Sequence, residues 1–195
     1  MIFALTGALA ASRKQLDAVG FAFLACLTAV GGGTLRDVLL DRNPVFWIAN
    51  PGYIGIACVA AGVIFFTAHL AESRYRWLLW LDTFALAVAV AAGVAAALTM
   101  LQPWPIVVIM GILTGCAGGL MRDVVCNEVP LVLTQGELYV SAAFAGSLVA
   151  AGVAAVTSDM TLILGVCAAL TWGLRAGSLA FGWRLPVYRA RPPKG

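Results

Sequence analysis

The sequence predicts an all-α integral membrane protein with seven transmembrane helices, arranged as two inverted three-helix repeats and a seventh helix. Composition is the first observation: of 195 residues, 62% are hydrophobic and 11% are charged, and the mean hydropathy is +0.97. A soluble domain carries about 25% charged residues, so too little charge is present to cover a surface in water. Seven apolar stretches and one repeated motif are the other two observations.

The apolar stretches mark the helices, because a helix needs about 20 apolar residues to cross the hydrocarbon core. The predicted spans are 1–11, 16–40, 53–70, 76–99, 105–126, 136–157 and 160–182. The first span is too short for a full crossing, so we expect that it is truncated or that the true start lies upstream. The predicted units are 1–70, 76–157 and the seventh helix 160–182, followed by a basic tail at 184–195.

The basic residues predict the orientation, because Lys and Arg are enriched in cytoplasmic loops. One set of span ends carries Arg13, Lys14, Arg74, Arg76, Arg122, Arg184, Arg189, Arg191 and Lys194, and the other set carries only Arg36 and Arg42. We therefore expect the N-terminus outside and the C-terminus in the cytoplasm. The net charge of +3 is spread between apolar stretches, which does not indicate a nucleic-acid partner.

An internal repeat appears when the sequence is shifted by 86 residues. Over the 27 positions from 27 to 53 there are 9 identities. The matching positions include Gly32-Gly33 with Gly118-Gly119 and Arg36-Asp37 with Arg122-Asp123, then Pro44 with Pro130 and Tyr53 with Tyr139. Because each unit holds three spans, the second unit enters the membrane from the opposite side, as in many transport proteins.

Glycines interrupt the second span at 31–33 and the fifth span at Gly115 and 118–119. Each glycine costs a helix about 0.8–1 kcal/mol relative to alanine, so we expect a break at both places, with freed backbone groups lining a watery path. Close packing of helices is the alternative. The predicted ion pathway is Gly31, Gly32, Gly33, Thr34, Arg36, Asp37, Thr114, Gly115, Gly118, Gly119, Arg122 and Asp123, with Thr28 and Asp82 as secondary candidates.

The two Arg-Asp pairs are costly at membrane depth unless they are paired or hydrated. Adjacent residues point about 100° apart on a helix, so each arginine need not pair with its neighbour. Pairing across the repeats and a structural ion pair that fixes the break both remain open. Asp82 and Glu137 are further carboxylates within predicted spans, and Glu137 near a helix start suits the helix dipole.

An enzyme is not expected, because the chain has no nucleophilic triad pattern and a single histidine, His69. The five cysteines lie in apolar stretches without short ligand spacing. We therefore expect neither a disulfide framework nor a metal site, and no cofactor.

The run Gly31 to Asp37, followed by Pro44 to Trp47, resembles the prokaryotic branch of the trimeric intracellular cation (TRIC) channel family, and so does the second copy from Thr114 to Asp123. This resemblance implies a seven-helix protomer in a homotrimer in the prokaryotic inner membrane, among membrane lipids. It implies a pore in each protomer between the glycine-kinked second and fifth helices, conducting monovalent cations, chiefly potassium. Relatives also carry a domain name suggesting glycine transport, which keeps a carrier of a small amino acid as the alternative.

Overall fold

The computed structural model describes residues 1–70, 74–133 and 138–186, without the side chains of Leu70 and Arg74. Eight α-helices and two 3-10 turns build these ranges. The helices are α1 Ile2–Arg13, α2 Ala18–Leu39, α3 Phe46–Ala49, α4 Gly52–Thr67, α5 Arg74–Thr99, α6 Trp104–Val125, α7 Val140–Ala154 and α8 Met160–Phe181, and the turns are Ala68–Leu70 and Leu131–Leu133.

Seven of these helices correspond to the seven predicted spans, and α3 is an additional short helix. Four of them, α2, α5, α6 and α8, are long and apolar enough to cross a membrane. The apolar helices α1, α4 and α7 are shorter, at 12, 16 and 15 residues. At 1.5 Å per residue α1 extends only about 18 Å, well below the roughly 30 Å of hydrocarbon.

Local sequence explains where several helices begin and end. The Asp17 side chain caps α2 by accepting a hydrogen bond of 2.8 Å from Gly20 N, and Asp159 caps α8 by accepting one of 2.9 Å from Thr161 N. A capping carboxylate satisfies backbone amides that the helix itself leaves without partners. Gly182 ends α8 with a φ of 69°, a left-handed conformation that glycine adopts without strain.

Helix ends that lie 86 residues apart have matching geometry. Among the described residues, the non-glycine positions with positive φ are Gln15 and Leu101, both at 54°, and Asp41 and Asn127, at 52° and 51°. The first pair follows α1 and α5, and the second pair follows α2 and α6. The chain therefore leaves corresponding helices of the two halves in the same conformation.

The helices α2 and α6 pack directly against each other and join the two halves of the bundle. α2 packs against α1, α4 and α6, whereas α6 packs against α2, α5 and α7, and α8 packs against α5 and α7. Small and β-branched residues fill the interior, while many large apolar side chains, such as Phe23, Val59 and Val88, are exposed on the outer surface. Lipid is the solvent that tolerates such a surface.

An ion cluster joins the end of α1 to the loop after α6. The Arg13 Nη1 and Lys14 Nζ atoms lie 3.1 and 3.2 Å from the two carboxylate oxygens of Glu128, and Arg13 also covers the Tyr75 ring. These contacts place the basic end of α1 on the same side of the bundle as the end of α6.

Candidate functional site

The predicted glycine breaks are wrong, because α2 and α6 are continuous helices through both glycine clusters. Gly31, Gly32 and Gly33 lie inside α2, and Gly118 and Gly119 lie inside α6. The glycines are used for close approach instead. The helix propensity lost at each glycine is offset by tight contact between helices, which small residues permit in membranes.

The contact between α2 and α6 is made by two glycines and two threonines in equivalent positions. A Cβ atom on Gly118 would lie 2.5 Å from the Thr28 carbonyl oxygen, and one on Gly32 would collide with the Thr114 carbonyl oxygen. Each glycine thus faces the backbone of the other helix, with no room for a side chain. Gly32 and Gly118, like Thr28 and Thr114, are 86 residues apart, so the crossing is symmetric in sequence.

The threonine hydroxyls at this crossing are buried and bonded to their own helices. Thr28 Oγ1 donates to Leu24 O and Thr114 Oγ1 donates to Met110 O, both at 2.6 Å. A Cβ on Gly7 of α1 would lie 2.6 Å from Thr28 Oγ1, and one on Gly93 of α5 would lie 2.7 Å from Thr114 Oγ1. A four-helix contact of α1, α2, α6 and α5 therefore surrounds the crossing.

Each of the remaining predicted glycines has a side chain as its nearest neighbour, although a Cβ on Gly31 would also lie 3.8 Å from the Gly118 Cα atom. A Cβ on Gly33 would meet the Phe46 ring, one on Gly31 the Met121 Sδ atom, and one on Gly115 the side chain of Val90. Gly119 lies beside the second polar cluster, where a Cβ would come 3.2 Å from the Tyr139 hydroxyl.

The first polar cluster lies at the end of α2. Arg36 pairs with its neighbour Asp37, with Nε and Nη2 at 2.8 and 2.7 Å from Asp37 Oδ1, and Arg42 Nη1 lies 3.3 Å from the same oxygen. The other oxygen of Asp37 accepts a hydrogen bond of 2.9 Å from Phe46 N at the start of α3. Asp37 therefore joins the helix to the segment that follows.

Thr34 also connects α2 to α3. Its hydroxyl donates to Val30 O at 2.7 Å and accepts a hydrogen bond of 2.9 Å from Trp47 Nε1. Arg36 lies over the Phe46 ring, with its Cζ atom 5.6 Å from the ring centre. The short helix α3 is thus held against α2 by contacts with the predicted site residues.

The second polar cluster, at the end of α6, is more deeply buried. Arg122 has no exposed side-chain surface; its Nε donates to Asp123 Oδ1 at 2.8 Å and its Nη1 to Asp82 Oδ1 at 2.7 Å. Asp123 Oδ2 accepts from Leu131 N at 2.9 Å, a bond similar to that between Asp37 and Phe46 but shifted by one residue, since the repeat counterpart of Phe46 is Val132. Each of the two arginines pairs with the aspartate that follows it in sequence. Of the two alternatives left open, the structure therefore contains the local ion pair and not an Arg-Asp pair between the repeats.

Asp82 extends the second cluster to two more helices. Its Oδ2 accepts a hydrogen bond of 2.7 Å from the Tyr139 hydroxyl, at the start of α7. The Tyr139 ring in turn lies 5.0 Å from the Cζ atom of Arg175, a fully buried arginine of α8. Sequence reasoning missed Arg175, although a charge in the middle of a predicted span was the available signal. Glu137 lies outside the described residues.

A metal centre is not a feature of the described residues, since no group of three or more His, Cys, Asp or Glu side chains gathers within 1–70, 74–133 and 138–186. What the arrangement offers instead is buried charge in compensated pairs. Arg122 lies between Asp82 and Asp123, and this pairing offsets the cost of its buried charge at membrane depth, although its Nη2 atom has no hydrogen-bond partner among the described residues.

These features define a polytopic helical membrane protein in which α2 and α6 cross on glycine and each helix carries one charged cluster at its end. Comparison with known proteins gives the family. The model described as Glycine transporter matches residues 1–69 and 79–155. The chain belongs to this family.

Curated relatives are membrane proteins of bacteria. The chain is 35% identical, over 96% of its length and 78% of the relative, to a UPF0126 membrane protein of Vibrio cholerae. It is 38% identical, over 76% of its length and 72% of the relative, to the UPF0126 inner membrane protein YadS of Escherichia coli.

Solved structures confirm the resemblance to prokaryotic TRIC channels. The TRIC trimeric intracellular cation channel orthologue from Rhodobacter sphaeroides is 40% identical, with a TM-score of 0.89 over 93% of each chain. A second TRIC cation channel structure is 30% identical, with a TM-score of 0.88 over 98% of this chain and 94% of that one.

Proposed function

We propose that this protein is a monovalent cation channel, chiefly for potassium, with a pathway inside each protomer along the crossing of α2 and α6. The observation that carries the proposal is the similarity to two TRIC cation channels that are 40% and 30% identical over more than nine-tenths of this chain. The matched glycine contacts of the crossing, with a charged cluster near each end, support the location of the pathway.

The protomer, in this proposal, consists of two inverted repeats. α1, α2 and α4 form the first within residues 1–70. α5, α6 and α7 form the second, which was predicted at 76–157 and begins with α5 at Arg74, and α8 stands outside both. The equal positive φ values at Gln15 and Leu101, and the equivalent contacts of Gly7 and Gly93, support this assignment. An odd number of helices per unit requires the second unit to run in the opposite direction.

The crossing is closed in this structure, so conduction requires α2 and α6 to separate. Since both helices are unbroken, their carbonyls are engaged in helical hydrogen bonds, and the ion cannot rely on freed backbone. The oxygens available to replace part of its hydration shell are the hydroxyls of Thr28, Thr34 and Thr114, together with the second lone pair of each carbonyl that faces a glycine of the other helix. Asp37 and Asp123 compensate the arginines that would otherwise repel a cation.

The proposed assembly is a homotrimer in the inner membrane, in contact with lipids. One of the similar structures is described as trimeric, and the E. coli relative as an inner membrane protein. We place the N-terminus outside and the C-terminus in the cytoplasm. The Arg13–Glu128–Lys14 cluster supports this, since it brings basic residues of α1 and the loop after α6 to one side.

Purified protein in planar bilayers tests the function. Under opposed potassium and sodium gradients we expect single-channel currents whose reversal potential lies closer to the equilibrium potential of potassium than to that of sodium. Glycine is added afterwards, and glycine uptake is measured in liposomes. Saturable glycine uptake without potassium current would overturn the channel and favour a carrier.

The location of the pathway is tested by Gly32→Leu, which places a large side chain against the α6 backbone. We expect the current to be lost. The matched control is Gly165→Leu in α8, where a Cβ atom meets nothing within 4 Å. Correctly assembled Gly32→Leu protein with unchanged current would place the pathway elsewhere.

A further inference from the structure

Two cysteines on α2 and α4 face each other. The Sγ atoms of Cys26 and Cys58 are 3.8 Å apart, and both thiols are free. A disulfide bond is about 2.05 Å long, so the sulfurs must approach by roughly 1.8 Å to form one. The positions 86 residues further on are Ile112 and Phe144, so the pair belongs to the first half alone.

A groove on the outer surface gives access to this pair. Cys58 is exposed and lines an apolar groove of about 190 Å³ between α2 and α4, with Ala22, Ala61, Gly62 and Phe65 among its walls. The other three cysteines, Cys116, Cys126 and Cys167, are buried. A small apolar reagent dissolved in lipid therefore reaches Cys58 before any other thiol of the described chain.

We propose that Cys26 and Cys58 are a modification site, at which an apolar disulfide reagent converts the two thiols into a reversible disulfide between α2 and α4. Cys58 first attacks the reagent, forms a mixed disulfide and releases one equivalent of reagent thiol with its proton. Cys26 then attacks the sulfur of Cys58 in the mixed disulfide and releases the second equivalent. The protein loses two electrons and two protons, and the reagent disulfide becomes two thiols.

The cross-link fixes the helix that carries half of the crossing. Thr28 and Gly32, which contact α6, follow Cys26 on α2, and α2 packs against both α4 and α6. Because α4 packs against α1, and α1 packs against α5 and α6, tying α2 to α4 opposes the movement of α2 away from α6. This effect on conduction rests on the proposed function, in which α2 and α6 separate to let ions pass. Because the disulfide opposes that separation, it lowers the potassium current.

The covalent step is tested with the full chain reconstituted in liposomes and treated with dithiodipyridine. We expect release of two thiopyridone equivalents from this pair and, after digestion, a peptide in which Cys26 is linked to Cys58. Cys26→Ser and Cys58→Ser are the matched controls, and neither forms the linked peptide. Wild-type protein that gives only mixed disulfides, or links between protomers, would overturn the proposal.

The effect of the cross-link on the movement of α2 is tested by two further measurements on the same samples. Oxidation is expected to reduce the potassium current at least twofold, with recovery after a reducing agent, and to slow amide hydrogen exchange in α2. Neither change is expected in the serine variants. If the cross-linked protein shows unaltered amide hydrogen exchange in α2, the inference that the disulfide restrains this helix is refuted. Absence of current before oxidation would refute the proposed function instead, while the linked peptide and the exchange data still decide this inference.

Discussion

Replacement of Gly118 by alanine tests the helix crossing with the smallest available perturbation. The added methyl group would lie 2.5 Å from the Thr28 carbonyl oxygen and 3.5 Å from its carbon. A carbon and an oxygen without a bond between them require about 3.4 Å at close packing, so α2 and α6 must separate locally by nearly 1 Å. Both contacting atoms on α2 belong to backbone, which cannot rotate away.

The expected cost follows from two opposing effects. Alanine favours the helix by about 0.8–1 kcal/mol relative to glycine. Overpacking of a well-packed interior costs about 1–3 kcal/mol. Gly118→Ala should therefore lower the free energy of unfolding by up to about 2 kcal/mol. Gly165→Ala adds the same methyl group where nothing lies within 4 Å, so it should be neutral or stabilising by up to about 1 kcal/mol.

Unfolding in a series of detergent and denaturant mixtures measures the free energy of unfolding of both variants, and bilayer recording measures their currents. We expect Gly118→Ala to be less stable than Gly165→Ala by about 1–3 kcal/mol, the overpacking cost alone. Its current should also change, because the separation of α2 and α6 is altered. Equal stabilities for the two variants would refute the close backbone contact inferred at this crossing.

The second polar cluster gives the other predictions. Arg122→Ala leaves two buried carboxylates without their cation and should cost about 3–5 kcal/mol. Arg122→Lys keeps a cation between them and should change the bilayer current more than Arg184→Ala in the tail. Equal, wild-type currents from assembled Arg122→Lys and Arg184→Ala proteins would remove Arg122 from the pathway. Tyr139→Phe removes the hydroxyl that donates to Asp82 and should lower the free energy of unfolding by about 1–3 kcal/mol. Tyr53 is the half-exposed repeat counterpart, and Tyr53→Phe should change the free energy of unfolding little. A similar loss in both variants would contradict the buried hydrogen bond between Tyr139 and Asp82.

Helix positions were predictable because they depend on local hydropathy. The observed bounds of α2, α5, α6 and α8 lie within two residues of the predicted spans. The helix α3 was not predicted, since it has four residues and is held by Asp37 and Thr34 from another helix. Contacts between residues distant in sequence are not visible in a local pattern.

The glycine clusters were interpreted wrongly for a related reason. Helix propensity describes an isolated segment, and on that basis three consecutive glycines favour a break. The Thr114 backbone facing Gly32 supplies a contact that only a residue without a side chain permits, and the helix continues. Pairing of Arg36 with Asp37 was left open because backbone direction alone does not show how far an arginine side chain folds back.

The two charged clusters share a motif but differ in their access to dissolved ions. Arg42 of the first cluster has 40% of its side-chain surface exposed, whereas Arg122 of the second has none. Mobile counterions screen charges that reach the aqueous phase and act much less on buried pairs. Raising the ionic strength therefore screens Arg42, beside the first Arg-Asp pair, far more than Arg122 within the second, so the two copies of one motif lie in different electrostatic surroundings.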